Sequence, residues 1–367
     1  PAPTGSFAVG RTTFDWADDA HTDPLAPTPG TKREVLVWIW YPAAAGPSAT
    51  VDDYMPTSMR VADERPGIAV RILGLLTRDS SKVHGHSLRN AAVSTGVQSF
   101  PVILMRGGAS AGVLNYSTLA EDLASHGYIV AGIDAPYRTN RVVFPDGRKI
   151  ARAPANNPEL YSGKEFERVG NKLLAAWTAD MSFVLDRLAR LNSEPSGKFN
   201  GRLDMTRVGA FGHSFGGAQA AQFCSEDSRC KAAIDIDGAL LGSVVQSSIR
   251  HPFLFLVSDH SRESGPETRQ IVANIQSLYD RLPLDGRFWV VIRGANHFTF
   301  SDDGALLKSS IVRGALHAFG RLNIDGRRQL AVTTYCVHSF FDAYLKQEHA
   351  SRPAIASPLY PEIQVVK

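Results

Sequence analysis

The chain is predicted to be an α/β protein, on three observations. Seven short apolar segments alternate with amphipathic stretches along its length, the signature of a sheet covered by helices. The later apolar segments are almost unbroken, as strands of a parallel sheet buried on both faces must be. A Gly-His-Ser-Phe-Gly run at 212–216 then couples one such strand directly to a helix-forming stretch.

In chain order the strand candidates are Glu34 to Trp40, Val102 to Met105, Tyr128 to Ile133, Val208 to Phe211, Ala232 to Ile236, Phe253 to Val257 and Phe288 to Ile292. Between them fall helices. Thr118 to His126 opens with Thr118 followed three residues later by Glu121, a capping-box pattern. Lys172 to Leu191 carries Leu174, Trp177, Met181, Val184, Leu185, Leu188 and Leu191 on one stripe, which must face the sheet. Arg327 to Lys346 holds Val332, Cys336, Phe340, Phe341 and Tyr344, read as core. Val51 to Gln98 and Ala135 to Glu159 interrupt this rhythm and are too long for plain connections, so they are expected to be insertions or lid-like walls. Ile68 to Leu76 within the first suits a short amphipathic helix that could roof a pocket or touch a lipid surface, the alternative being a helix packed on the body.

The composition narrows the function. With 367 residues, 44% of them apolar and 20% charged, the chain is an ordinary globule and not a disordered, collagen-like or disulfide-scaffold protein. It is expected to form a single α/β domain. The net charge, 39 − 36 = +3, is spread without a basic run, which argues against a nucleic-acid partner. No apolar run approaches the roughly 20 residues of a membrane-spanning helix. The sequence opens at Pro1, so a leader is expected to have been removed. Cys224 and Cys230 are six apart, whereas Cys336 stands alone. A bridge between the first two suits a secreted or periplasmic protein, the alternative being two unrelated thiols.

The run Gly212-His213-Ser214-Phe215-Gly216-Gly217 has the form of a nucleophile elbow. There a serine occupies a strained strand-to-helix turn, and its neighbours must be small because the two backbones nearly touch. The helix N-terminus that follows offers free N–H groups to a developing negative charge. A second match, Gly108-Ala109-Ser110-Ala111-Gly112, is read as a decoy. Val113, Leu114 and Asn115 intervene before any helix, and the strand is the early one after which an α/β-hydrolase places an oxyanion-hole loop.

A serine needs a histidine to take its proton and an acid to orient that histidine, in the order Ser, acid, His for this fold. His297, in Gly294-Ala295-Asn296-His297-Phe298, follows an apolar strand at the carboxyl edge of the sheet, where ligands bind. His317 and His260 are read as structural or surface residues. Asp237 and Asp259 both end strands, and periodicity does not choose between them.

Gly212-His213-Ser214-Phe215-Gly216-Gly217-Ala218, Ser225-Glu226-Asp227 and Asp237-Gly238 resemble the platelet-activating factor acetylhydrolase family, in its plasma-type and bacterial forms. Trp38-Ile39-Trp40-Tyr41-Pro42, the Leu119 to Tyr128 stretch and Phe199 to Asp204 extend the likeness to most of the chain. The resemblance implies an α/β-hydrolase fold and a serine esterase with Ser214 as nucleophile, Asp237 as acid and His297 as base. It also implies an oxyanion hole made by the backbone N–H groups of Phe215 and Gly108. Where relatives carry His-Gly or Pro-Gly, this chain has Arg106-Gly107-Gly108. Arg106 and His213 are therefore the candidate substrate-facing side chains. The alternative for Arg106 is a guanidinium turned to solvent or paired with a carboxylate.

No metal or cofactor is called for. His84-Gly85-His86 lacks a third ligand at metal spacing, and Asp18 to Asp23 reads as a solvated acidic turn. No phosphate-cradling glycine loop is present. The expected activity is hydrolysis of short-acyl or phospholipid-like esters, polyester or amide cleavage on the same triad and an idle binding fold being the alternatives.

Overall fold

Strand side chains alternate between two apolar layers, and this alternation organises the molecule. The computed structural model describes residues 1–46, 49–62, 82–109, 111–259, 265–307, 314, 323–346 and 355–366. Its strands are Ala8–Thr22 (β1), Lys32–Ala43 (β2), Val51–Asp53 (β3), His84–Arg89 (β4), Phe100–Arg106 (β5), Ile129–Asp134 (β6), Arg141–Val143 (β7) and Lys149–Ala151 (β8). Leu203–His213 (β9), Cys230–Ile236 (β10), Phe253–Val257 (β11), Arg287–Ile292 (β12) and Ile363–Val365 (β13) follow. The main helices are Ser117–Ser125 (α1), Gly163–Asn192 (α2), Phe215–Glu226 (α3), Pro266–Arg281 (α4) and Gly326–Leu345 (α5).

Eleven strands form one sheet in the order β13-β12-β11-β10-β9-β5-β6-β2-β1-β4-β3. Its middle, from β6 through β5, β9, β10 and β11 to β12, is parallel throughout. β2 joins it antiparallel to β6, and β13 closes the far edge antiparallel to β12. Along β5, Val102 and Leu104 face one layer while Ile103 and Met105 face the other. The first layer is filled by α2, α3 and α4, with Met181, Leu185, Phe223 and Leu278 buried in it. The second is filled by α1 and α5 through Leu119, Leu123, Cys336 and Phe340. Each interior apolar side chain is worth about 1.5–3 kcal/mol of burial, so the uninterrupted apolar strands belong between two helical layers.

All seven predicted strands lie within or beside β2, β5, β6, β9, β10, β11 and β12. The structure differs elsewhere. β1, which pairs with β2 over most of its length, was not expected, since its sequence AVGRTTFDWADDAHT is mostly polar. Val51 to Gln98 is not wholly an insertion over the body, because β3 and β4 extend the sheet from it. The predicted helix at Ile68 to Leu76 lies outside the described residues. Ala135 to Glu159 carries the small separate hairpin β7–β8. The capping box expected at Thr118 is not formed: α1 starts one residue earlier without a side-chain cap. Glu121 instead accepts from the Ser87 hydroxyl at 2.6 Å and from the N–H groups of His86 and Ser87 at 2.9 and 3.0 Å, tying β4 to the helix.

Candidate active site

Close backbone approach dictates the residue types around Ser214. Ser214 has φ 58° and ψ −125°, a left-handed conformation that costs an L-residue of order 1–3 kcal/mol and is kept only where the surroundings enforce it. A Cβ on Gly212 would collide with the Gly216 backbone, and one on Gly216 would lie 2.6 Å from Gly107 O and 2.7 Å from Arg106 O. Both glycines of the elbow are thus required by contact. Ser214 N–H donates to Ile236 O at 2.8 Å, pinning the turn onto β10. Phe215 begins α3 immediately, and the first N–H groups of a helix have no intrahelical acceptor.

β10 ends beside this turn, and Asp237 follows it with φ 53°. Asp237 N–H donates to Leu256 O at 2.9 Å. Its carboxylate accepts from Ser258 N–H at 2.7 Å and from the Ser258 hydroxyl at 2.9 Å to either oxygen. Gly238 is needed here, since a Cβ on it would press on Asp235 and lie 2.6 Å from Ser214 O.

His297 arrives on the loop after β12. Its Nδ1 is 2.7 Å from Asp237 Oδ2 and its Nε2 is 3.1 Å from Ser214 Oγ. The carboxylate is almost wholly buried, with 2% of its side chain exposed, whereas the imidazole keeps 37%. A buried acid facing one ring nitrogen and a hydroxyl facing the other is the arrangement in which the serine proton can pass to imidazole. The loop is held from several sides. Asn296 caps the short turn His297–Phe300 in a reciprocal box with Thr299. Gln329, fully buried on α5, donates to Asn296 O at 3.3 Å and also contacts the Thr299 hydroxyl. Gln329 was missed by sequence reasoning, because a lone glutamine on an apolar helix carries no catalytic signal.

Asp259, the competing acid, bonds the backbone of the loop that carries His297. It is half-buried, and its Oδ2 accepts from Gly294 N–H at 2.9 Å while its N–H donates to Ala295 O at 3.3 Å. It therefore braces the histidine loop from behind. Ser110, His260 and His317 lie outside the described residues.

Two expected substrate contacts are also corrected. Arg106 is 1% exposed. Its Nη1 donates to Ile133 O at 3.0 Å and lies 3.9 Å from Asp180, and its guanidinium stacks 3.8 Å over the Trp177 ring. Burial pulls its pKa down to about 10, with Asp180 opposing, so it stays charged at neutral pH as an interior cation. His213 is likewise buried behind the elbow, its ring centroid 4.5 Å from that of His297. Burial, followed by the neighbouring His297, lowers its pKa to about 3, so it is neutral in the interior. The Gly108 N–H, expected to be open to an oxyanion, donates to Tyr116 Oη at 3.1 Å.

An apolar wall adjoins the elbow. Trp177 meets the Phe215 ring edge-on at 5.0 Å and clusters with Leu25, Leu173, Ala176 and Tyr137. Asn156, within the second predicted insertion, ties this wall together by donating to Leu25 O and Tyr137 O at 2.8 and 3.0 Å. Among the described residues, Asp122, His126 and His338 form a cluster with metal-ligating side chains. Its two imidazoles stack 22° from parallel with centroids 4.1 Å apart. In-plane lone pairs of stacked rings do not converge on one ion, and His338 Nδ1 is bonded to Asp122 at 3.0 Å.

Proteins similar to this chain carry the names of esterases and acetylhydrolases. A probable 1-alkyl-2-acetylglycerophosphocholine esterase of Arthroderma benhamiae is 25% identical over 391 residues, which cover 99% of this chain and 92% of that one. The platelet-activating factor acetylhydrolase of Cavia porcellus is 27% identical over 232 residues, spanning 58% of this chain and half of its own length. The solved ferulic acid esterase from Streptomyces cinnamoneus superposes with a TM-score of 0.79 at 27% identity, over 100% of this chain and 98% of that one. Residues 1–140 and 190–353 match the family described as platelet-activating factor acetylhydrolase, isoform II, so the chain belongs to that family.

Proposed function

We propose that the protein is a serine carboxylic-ester hydrolase in which Ser214 is the nucleophile, His297 the base and Asp237 the acid. The observation that carries this reading is the imidazole of His297 set between Ser214 Oγ and the buried Asp237 carboxylate, at 3.1 and 2.7 Å. Ser214 Oγ attacks the ester carbonyl as its proton moves to His297 Nε2, and the Phe215 N–H with the Gly107 to Ala109 loop stabilises the oxyanion. His297 then protonates the leaving alcohol, and water, deprotonated by the same imidazole, releases the acid from the acyl-enzyme. Asp237 keeps Nδ1 protonated and supports the imidazolium. The mechanism needs only water.

The relatives differ in the acyl group that their names specify, acetyl in one and ferulic acid in another. Short acyl esters of phospholipid-like alcohols are the first reading. The aromatic wall of Trp177, Phe215 and Tyr137 favours a second, an aromatic acyl group. Hydrolysis of p-nitrophenyl esters of increasing acyl length, with methyl ferulate alongside, tests both. Turnover of acetyl and butyryl esters that Ser214→Ala abolishes supports the reading, and a protein inert toward every ester is an idle binding fold. The Cys224–Cys230 disulfide supports a place outside the reducing cytosol. Among the described residues no helix is long and apolar enough to cross a membrane.

A further inference from the structure

We propose that Tyr116 is a positioning residue for the oxyanion, its hydroxyl holding the Gly108 amide in place between turnovers. The inference rests on the esterase reading above and adds a residue to it.

The Tyr116 hydroxyl sits between two groups, 3.1 Å from Gly108 N and 2.8 Å from His213 Nδ1. The direction of each bond follows from chemistry. An amide N–H only donates, so the phenol oxygen accepts from Gly108. The phenol's single proton is then left for His213 Nδ1, which accepts it when the buried, neutral imidazole carries its hydrogen on Nε2. Gly108 is next to the nucleophile, since a Cβ on it would lie 3.3 Å from Ser214 Cβ. A Cβ on Gly107 would lie 2.8 Å from the Tyr116 ring, so the loop rests directly on that ring. His213 in turn precedes Ser214 and packs against His297. One buried phenol thereby connects the oxyanion loop to the nucleophile and the base.

A neutral phenol oxygen is a weaker acceptor than an alkoxide, because hydrogen bonds to charged groups are roughly twice as strong. Tyr116 thus satisfies the buried Gly108 N–H before substrate arrives, and the tetrahedral intermediate outcompetes it for the same amide. The amide is kept within a small reorientation of its working position. With phenylalanine at 116 the amide loses this partner and the loop loses its tether, while the ring contact remains.

The test compares wild type with Tyr116→Phe on p-nitrophenyl acetate and measures binding of phenylboronic acid, whose Ser214 adduct is tetrahedral and anionic. The expected result is kcat lower by about 10–100-fold, less than loss of a whole oxyanion donor. KM should stay within about threefold, since ground-state binding does not use the amide. Boronate affinity should fall by the same factor as kcat, with the melting temperature near wild type. Unchanged kcat, or a fall in kcat with unchanged boronate affinity, overturns the proposal. If Tyr116→Phe does not fold, His213→Leu removes the acceptor from the other side and should lower kcat and boronate affinity together. His213→Asn, which returns an oxygen near the Nδ1 position, should restore both, and failure of that rescue also overturns the proposal. A wild-type protein that neither hydrolyses the ester nor binds the boronate overturns the esterase reading itself. An active wild type with an equally active Tyr116→Phe variant sinks only this inference.

Discussion

Replacing Asp237 by asparagine changes one atom of the proposed triad and tests the site most sharply. The side chain is gripped by Ser258, whose N–H donates to Oδ1 at 2.7 Å, while Oδ2 faces His297 Nδ1 at 2.7 Å. An asparagine oxygen is retained on the Ser258 side, because a backbone donor cannot face an amide NH2. The NH2 is then presented to His297, which must turn a bare Nδ1 toward it and carry its proton on Nε2. An imidazole in that tautomer cannot accept the Ser214 proton, so kcat should fall by roughly 10⁴, equivalent to about 5.4 kcal/mol of barrier. Asp259→Asn is the matched control. Its oxygen still accepts from Gly294 N–H, and exchanging a charged for a neutral acceptor there costs about 1 kcal/mol, within roughly tenfold in rate. Steady-state hydrolysis of p-nitrophenyl acetate, normalised to the fraction of enzyme that a phosphonate titrates, gives both numbers. Loss of 10³ or more in Asp259→Asn with near-normal Asp237→Asn would place the acid on the later strand and refute the tautomer argument.

An organophosphonate should label Ser214 and not Ser110, and Ser214→Ala should lower kcat by about 10⁴ to 10⁶ while Ser110→Ala costs far less; peptide mapping of the adduct decides. Alkylation without reductant should find one free thiol, Cys336, because Cys224 and Cys230 are bridged, and reduction should cost about 2 kcal/mol by closing-loop entropy for a separation of six residues. Acyl chains longer than the pocket should slow turnover through overpacking, so equal rates on acetyl and palmitoyl esters would contradict a closed pocket. Burial raises the Asp235 carboxyl to about 8 from 3.8. Between those values the native state holds a proton that the unfolded chain has released, so the contribution of this carboxyl to stability is fullest below pH 3.8 and is lost toward pH 8, by up to about 1.4 kcal/mol per pH unit. Asp235→Asn keeps an acceptor for Gly238 N–H and carries no proton to lose, so its stability relative to wild type should rise between pH 5 and pH 8 in denaturant titrations. An unchanged difference would mean that the carboxyl is not protonated in the fold.

What the sequence made legible followed from burial on both faces. β11 is apolar throughout, and β5, β9, β10 and β12 each hold a mostly apolar stretch; such runs are readable because little polar alternation dilutes them. β1 was not legible for the opposite reason. It is an antiparallel strand near the sheet edge with polar residues on its outer face, and Arg11, buried there, bonds Asp52 at 2.7 Å. A buried arginine reads as surface until its partner is seen. β3 and β4 escaped for their brevity, three and six residues, too few to show a period.

In the candidate site, the residues legible in the sequence were those whose identity the backbone dictates. Gly212, Ser214 and Gly216 are constrained by atoms in direct contact, and local contact leaves a local motif. His297 was legible from its place after a buried strand. The proposed acid needed the resemblance, since both Asp237 and Asp259 end parallel strands and both have partners at the same edge; only the fold reveals that one faces the imidazole and the other the loop carrying it. Tyr116 and Gln329 left no mark because their partners, His213 and Asn296, lie 97 and 33 residues away. Arg106 shows the converse error. It stands one residue before the oxyanion loop, yet the strand's alternation turns its side chain inward onto Trp177 and toward Asp180. Sequence adjacency to a reacting centre fixes where a backbone lies, and the pleat decides whether the side chain reaches substrate or core.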